Sequence, residues 1–158
     1  MVDVVSPDVR SRMMAAIGRR DTKPEIVVRQ ALHAGGFRFR LDVRALPGSP
    51  DIVLTKWRTA IFVHGCFWHR HSGCARTTTV STRPEFWQRK FDANVARDAR
   101  AQQALKEAGW KVAVVWECAL GKGAAEQSLR SLADFIRTPE TALKRIEIPA
   151  IPVFPARS

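Results

Sequence analysis

Between His64 and Cys74 the chain reads H-G-C-F-W-H-R-H-S-G-C, a segment that holds three of the four histidines, two of the three cysteines and an adjacent Phe67-Trp68 pair. Thiolate and imidazole are the side chains that satisfy tetrahedral zinc. Cys66, His71 and Cys74 lie in a polar, irregular stretch, and Cys118 stands at the far end of an apolar run. Together they supply four soft ligands of the kind a closed structural zinc site requires, so the fold must return residue 118 to the 66–74 loop. The competing reading, cysteines buried as small hydrophobes, fits a polar loop less well. Four protein ligands leave no open coordination position, so such a zinc pins the loop and hydrolyses nothing.

The flanking sequence supplies the frame. Ser6-Pro7 opens a short helix through Val9, Met13 and Ile17, and Thr22-Lys23-Pro24-Glu25 is a capping box that starts a second helix ending at Gly35-Gly36. Phe37, Phe39 and Leu41 alternate with polar residues as in a half-buried strand, and Pro47-Gly48-Ser49-Pro50 forces a turn. Strands follow over 51–54 and 59–64, which makes a three-stranded meander. A long helix is expected over 84–108, a buried strand over 111–116 and a last helix over about 124–136. The order α-α-β-β-β-α-β-α predicts a three-layer α/β domain with a mixed central sheet over residues 1–137. The prolines at 139, 149, 152 and 155 make 138–158 an extended arm or partly disordered tail.

Lys+Arg total 26 against 15 Asp+Glu, a formal net charge of +11, so the partner class is polyanionic. Arg10, Arg12, Arg19, Arg20, Arg83, Arg89, Lys90, Arg97 and Arg100 flank the His/Cys segment on both sides, and no basic helix with an oily face offers a membrane alternative. Nucleic acid is the expected partner. The N-terminal M-V-D-V-V-S-P-D lacks a basic region followed by an apolar run, and the clustered cysteines fit a reducing compartment, so a cytoplasmic protein is expected.

Asp51 follows the L-P-G-S-P turn at the head of an apolar strand. Two roles fit it: a ligand to Mg2+ in a nuclease, since a hard cation needs anionic oxygen, or a simple cap on the turn. The Glu-x-Lys that often accompanies such an aspartate is absent. His64 and His69 remain once His71 is given to zinc, and a nuclease without that lysine needs another proton carrier. Trp87, Lys90 (or Phe91), Asn94 and Asp98 recur at helical spacing, which lets Asp98 orient His69 from a shared face. Phe67, Trp68 and Trp87 are large rings in polar segments, placed either to wedge between base pairs or to pack the zinc loop; Trp57, Trp110 and Trp116 read as core or edge packing.

These residues are collinear with a known pattern. It runs through Ser11-x2-Met14-x2-Ile17-x3-Asp21-Thr22-x2-Glu25, L-P-G-S-P-D ending at Asp51, and H-G-C-F-W-H-R-H. It continues through Thr82-Arg83-x2-Phe86-Trp87-x2-Lys90-x3-Asn94-x2-Arg97-Asp98, Gly109-Trp110 and Val115-Trp116-Glu117-Cys118. Over roughly residues 6 to 120 the chain resembles the very-short-patch repair (Vsr) DNA mismatch endonucleases. The resemblance implies a restriction-endonuclease-like core that acts as a monomer on double-stranded DNA, in association with the nucleoid. It implies Mg2+-dependent nicking beside the thymine of a T·G mismatch, a lesion left by deamination of 5-methylcytosine.

By the same resemblance Asp51 binds Mg2+, as does the backbone carbonyl of Val63, where a threonine is familiar in the family. His69 acts as general base oriented by Asp98, His64 acts at the scissile phosphate, and Glu25 has an outer-sphere role near the metal. Cys66, His71, Cys74 and Cys118 hold zinc. Phe67, Trp68 and Trp87 enter from the major groove, Met14 approaches from the minor groove, and Lys90 and Asn94 face the mismatched pair. Residues 75–81 and the tail match less well. Two alternatives stay open on the sequence: a zinc-stabilised, non-catalytic DNA-damage-binding module, and a nuclease of the same fold with other duplex specificity.

Overall fold

The computed structural model describes residues 22–139 and 143–149. The expected first helix with Met14, and Arg19 and Arg20 that follow it, lie outside the described residues. Helix α1 spans Lys23–Ala34, with Thr22 as N-cap accepting from the Glu25 N–H and Gly35 closing the last turn, as the capping box predicts. Three strands follow, β1 (Arg40–Leu41), β2 (Ile52–Leu54) and β3 (Thr59–His64), then the long helix α2 (Pro84–Glu107) and strand β4 (Lys111–Trp116). A 3-10 turn over Glu117–Leu120, helix α3 (Ala125–Arg137) and strand β5 (Arg145–Ile148) complete the order.

The strands form one mixed sheet in the order β1-β2-β3-β4-β5. The first three are an antiparallel meander, while β3, β4 and β5 run parallel. Side chains of a strand alternate between faces, so each central strand serves two cores. Ile52, Leu54, Ile61, Val63, Ala113 and Val115 pack on one face with Val28 and Leu32 of α1 and Leu132, Phe135 and Ile136 of α3. Ala60, Phe62, Val112, Val114 and Trp116 pack on the other with Leu105 of α2 and all three cysteines. The layers are therefore α1 and α3, the sheet, then α2 with the His/Cys loop. Among the described residues no helix is long and apolar enough to cross a membrane.

Three local findings depart from the expectation or refine it. The alternating 37–41 run pairs only at Arg40–Leu41, because the Phe37 N–H returns to the Leu32 carbonyl and its ring packs edge-on against Trp57. Within the stretch expected as an arm or tail, the described residues Arg145–Ile148 form β5, whose Ile148 is buried against the α1/α3 core. Lys111 at the head of β4 is 2% exposed, and its ammonium donates to the carbonyls of Phe135, Ile136 and Thr138 at 2.9, 2.6 and 2.6 Å. That charge sits at the carbonyl end of α3, the pole of the helix dipole that favours a cation.

Candidate active site and metal centre

Asp51 is placed by the turn before it. Gly48 adopts φ +75°, and a Cβ there would sit 2.6 Å from the Cβ of Ala101 and 3.2 Å from the Phe62 ring, so only glycine lets the turn press against α2. The chain then enters β2 with the Asp51 carboxylate accepting from the Val63 N–H at 2.8 Å across the meander. Burial, reinforced by the charges of Glu25 and Asp42 and only partly relieved by that hydrogen bond, pushes Asp51 up to about 7. Glu25, 3% exposed, accepts from Arg29 at 3.1 Å one turn along α1. A carboxylate buried at the end of the meander near the charges of Glu25 and Asp42 is costly as an anion, and a hard divalent cation is the chemistry that offsets such a cost.

His64 ends β3, and His69 follows within the loop. Their imidazoles stack with centroids 3.8 Å apart and 3° between planes. The Nδ1 of His69 lies 2.6 Å from Asp98 Oδ2, so α2 brings its carboxylate to the loop at the spacing that the sequence pattern required. Asp98 is held below the usual carboxylate range: partial burial opposes this, but the hydrogen bond and charge of His69 outweigh it. His64 is 5% exposed, and burial together with the charge of His69 drives it down to about 3, so it is a neutral imidazole at physiological pH. Its Nδ1 is buried without a hydrogen-bond partner among the described residues. The ligand-capable atoms of His64, His69 and Asp98 lie within 4.8 Å of one another. A single ion there is disfavoured, because lone pairs in the planes of parallel rings do not converge and His69 Nδ1 is already engaged.

The second cluster is a candidate metal centre built from the four residues singled out in the sequence. Cys66, His71, Cys74 and Cys118 are all buried, and their ligand atoms lie within 4.8 Å of one another. Cys118 Sγ is 3.4 Å from His71 Nδ1. Bonds of about 2.0–2.3 Å to a tetrahedral ion put ligands roughly 3.3–3.8 Å apart, so the set can hold one ion with small adjustments. None of the three cysteines is disulfide-bonded. Burial raises the Cys66 and Cys118 thiols and lowers the His71 imidazole, and a cation held by these ligands would reverse the thiol shifts by binding the deprotonated form. The 3-10 turn after β4 delivers Cys118, and Glu117 beside it accepts from the Cys66 N–H at 3.0 Å.

The rings gather on the outer side of this loop. Phe67 meets Trp68 edge-on at 5.2 Å, Trp68 lies 6.0 Å from Trp87 on α2, and buried Phe91 backs all three. Phe67, Trp68 and Trp87 are only partly buried. Packing and display therefore coexist: Phe91 is the inner ring, and the others sit on it with open area left. Exposed Lys90 lies 5.6 Å from the Trp87 centroid, and Arg97 donates to the Asn94 Oδ1 at 2.6 Å one turn on.

Sequence reasoning gave three neighbours of these clusters no role in them. Arg70 covers Phe91 at 4.3 Å and Phe67 at 5.4 Å while donating to the carbonyls of Phe67 and Thr78, which ties the loop to the ring cluster. Glu117 was visible inside Trp116-Glu117-Cys118 without a role. Trp116, read as packing, is 7% exposed, and it also stacks on His71 at 4.2 Å and meets His64 edge-on at 5.2 Å.

Comparison with known proteins points to one family. A family model described as DNA mismatch endonuclease Vsr matches residues 2–76. The type II nicking enzyme V.XorIIP of Xanthomonas oryzae pv. oryzae is 47% identical over 135 residues, covering 85% of this chain and 98% of that protein. DNA mismatch endonuclease Vsr of Escherichia coli K12 is 46% identical over 120 residues, 76% of each chain. The type II nicking enzyme V.NaeI of Lentzea aerocolonigenes is 42% identical over 113 residues, 68% of this chain and 67% of that protein.

Proposed function

This chain belongs to the Vsr DNA mismatch endonuclease family and is a nicking DNA endonuclease, and from that premise we propose that it nicks one strand 5′ to the thymine of a T·G mismatch. The reaction is Mg2+-dependent phosphodiester hydrolysis, the opening step of very short patch repair of deaminated 5-methylcytosine, within a restriction-endonuclease-like core. The observation that carries the reading is the convergence of Asp51, the His64/His69 stack and Asp98 beside an open cluster of rings.

In this account the Asp51 carboxylate and the Val63 carbonyl would hold Mg2+, with Glu25 acting through water. Bound there, the ion supplies polarisation of the phosphate and of its attacking water. His69 takes the proton of that water at Nε2, because Asp98 occupies Nδ1 and fixes the tautomer. Neutral His64 meets the scissile phosphate as a hydrogen-bond donor, a role that asks for no buried charge. Zinc on Cys66, His71, Cys74 and Cys118 would hold rigid the loop that carries His69, Phe67 and Trp68. Phe67, Trp68 and Trp87 enter the duplex from the major groove, with Lys90 and Asn94 at the mismatched bases and Met14 approaching from the minor groove. Arg19 and Arg20 add phosphate contacts that fix register without reading sequence.

The test uses duplexes with one T·G pair, the T strand and the G strand labelled separately, in Mg2+. The reading expects cutting of the T strand alone, beside the thymine, and little cutting of a matched duplex. Equal cutting of matched and mismatched duplexes would replace it with a nuclease of other specificity.

A further inference from the structure

Strand β5 lies beyond Cys118, where the motif correspondence ends, yet it reaches the centre of the molecule. Its register on β4 sets Glu147 beside Val114 and Arg145 beside Val112, on the face that carries Trp116. The Trp116 indole N–H donates to Glu147 Oε1 at 2.6 Å. The other carboxylate oxygen lies 3.4 Å from both terminal nitrogens of Arg145, whose Nε donates to Gln102 on α2 at 3.0 Å. Trp116 in turn separates the two chemical centres: one face stacks 10° from parallel on the metal-ligand candidate His71, and the ring meets His64 at 72°. His64 stacks on His69.

We propose that Glu147 is a positioning residue for strand cleavage: by anchoring the Trp116 indole, braced by Arg145 and Gln102, it fixes the wall against which His64, and through it His69, is aligned. The proposal rests on the nicking reading above and adds a residue to it. Packing confines the buried indole, and a hydrogen bond from its N–H to a charged acceptor adds a directional constraint that fixes its tilt between His71 and His64. Preorganisation of this kind acts on the rate of the chemical step more than on DNA binding, because duplex affinity comes mostly from phosphate contacts elsewhere. Glu147 touches neither the phosphate nor the attacking water in this account. Its effect is transmitted.

The experiment compares wild type, Glu147→Ala, Glu147→Gln, Trp116→Phe and the double variant Trp116→Phe/Glu147→Ala. Single-turnover nicking of a T·G duplex, duplex Kd, Tm and the indole and imidazole NMR signals are recorded for each. Trp116→Phe identifies the Trp116 indole signal by its loss. Glu147→Ala is expected to shift that signal, speed its exchange with solvent and move the His64 ring signals. It should lower the nicking rate about tenfold, the size of a charge-assisted hydrogen bond's net contribution, with duplex Kd within about twofold. Glu147→Gln keeps the acceptor and should restore both rate and signals. The double variant should be no slower than Trp116→Phe alone, because without the indole N–H the Glu147 carboxylate has no ring to anchor.

Unmoved His64 signals in Glu147→Ala, or a rate that falls only in step with Tm and duplex affinity, would overturn the positioning role. The NMR arm decides this even if wild type fails to nick T·G duplexes, an outcome that would refute the functional reading separately.

Discussion

His64 and His69 lie ring on ring, 3.8 Å apart, with Asp98 fixed to the outer imidazole. Two stacked imidazoles are poor hosts for two positive charges. The inner ring is kept neutral chiefly by burial, and in the proposed reaction the acid–base work falls to the ring that Asp98 supports.

Asp98 therefore governs tautomer more than affinity. Asp98→Asn preserves size, but its amide donates where the carboxylate accepted, which favours the wrong His69 tautomer. Nicking of a T·G duplex should fall about 10²-fold or more while duplex Kd stays within about threefold. An Asn variant that nicks at the wild-type rate would remove His69 as base.

Asp51 carries a cost as an anion, which the proposed Mg2+ would offset. Its folded-state value of about 7 lies above the unassociated 3.8, so the folded protein holds that proton between those limits. In Mg2+-free protein, ionised Asp51 is a penalty absent below about pH 4, growing as pH rises and complete above about pH 7. Asp51→Asn still accepts from the Val63 N–H without the charge. Its Tm should exceed that of wild type by about 5 °C at pH 8, and the gap should shrink steadily towards pH 4. Scanning calorimetry at several pH values checks both the sign and the trend, and an Asn variant no more stable at pH 8 would contradict the assignment.

The metal centre predicts stoichiometry. Purified protein should carry about one zinc per chain, and Cys118→Ala should lose it together with thermal stability, since ligand binding by the folded state alone is folding free energy. Elemental analysis alongside Tm measures both. A folded, active protein without zinc would contradict this use of the four ligands.

Selectivity should reside in the rings. A T·G wobble pair is easier to pry open than a Watson–Crick pair, and base–aromatic stacking contributes about 1–3 kcal/mol, so Trp68→Ala should lower T·G nicking about ten- to hundredfold. Binding to matched duplex should hardly change, and it should weaken steeply with salt because Lys and Arg contacts release counterions. If matched and mismatched duplexes weaken equally, the rings only pack the loop and selectivity must come from Lys90 and Asn94.

What was legible in the sequence was local chemistry. The capping box at Thr22 to Glu25, the turn before Asp51 and the ligand types of the 66–74 loop depend on neighbours a few residues away. The structure places them accordingly. What was hidden depends on register between distant segments. Nothing near Lys111 says that its ammonium meets the end of a helix 24–27 residues later, nor does the packing role of Trp116 imply a partner 31 residues on. The period-two run Arg145-Ile146-Glu147-Ile148 was the available signal for β5, and the surrounding prolines masked it. Met14, Arg19 and Arg20 lie outside the described residues.

The central claim is that Asp51 and His69 perform chemistry while the basic surface and rings perform binding. Single-turnover nicking and duplex Kd, measured on one T·G substrate in Mg2+ for wild type, Asp51→Ala and His69→Ala, test it most directly. The account predicts nicking reduced about 10³-fold or more in both variants, with Kd within about tenfold of wild type. Asp51→Ala protein that nicks at the wild-type rate would contradict it.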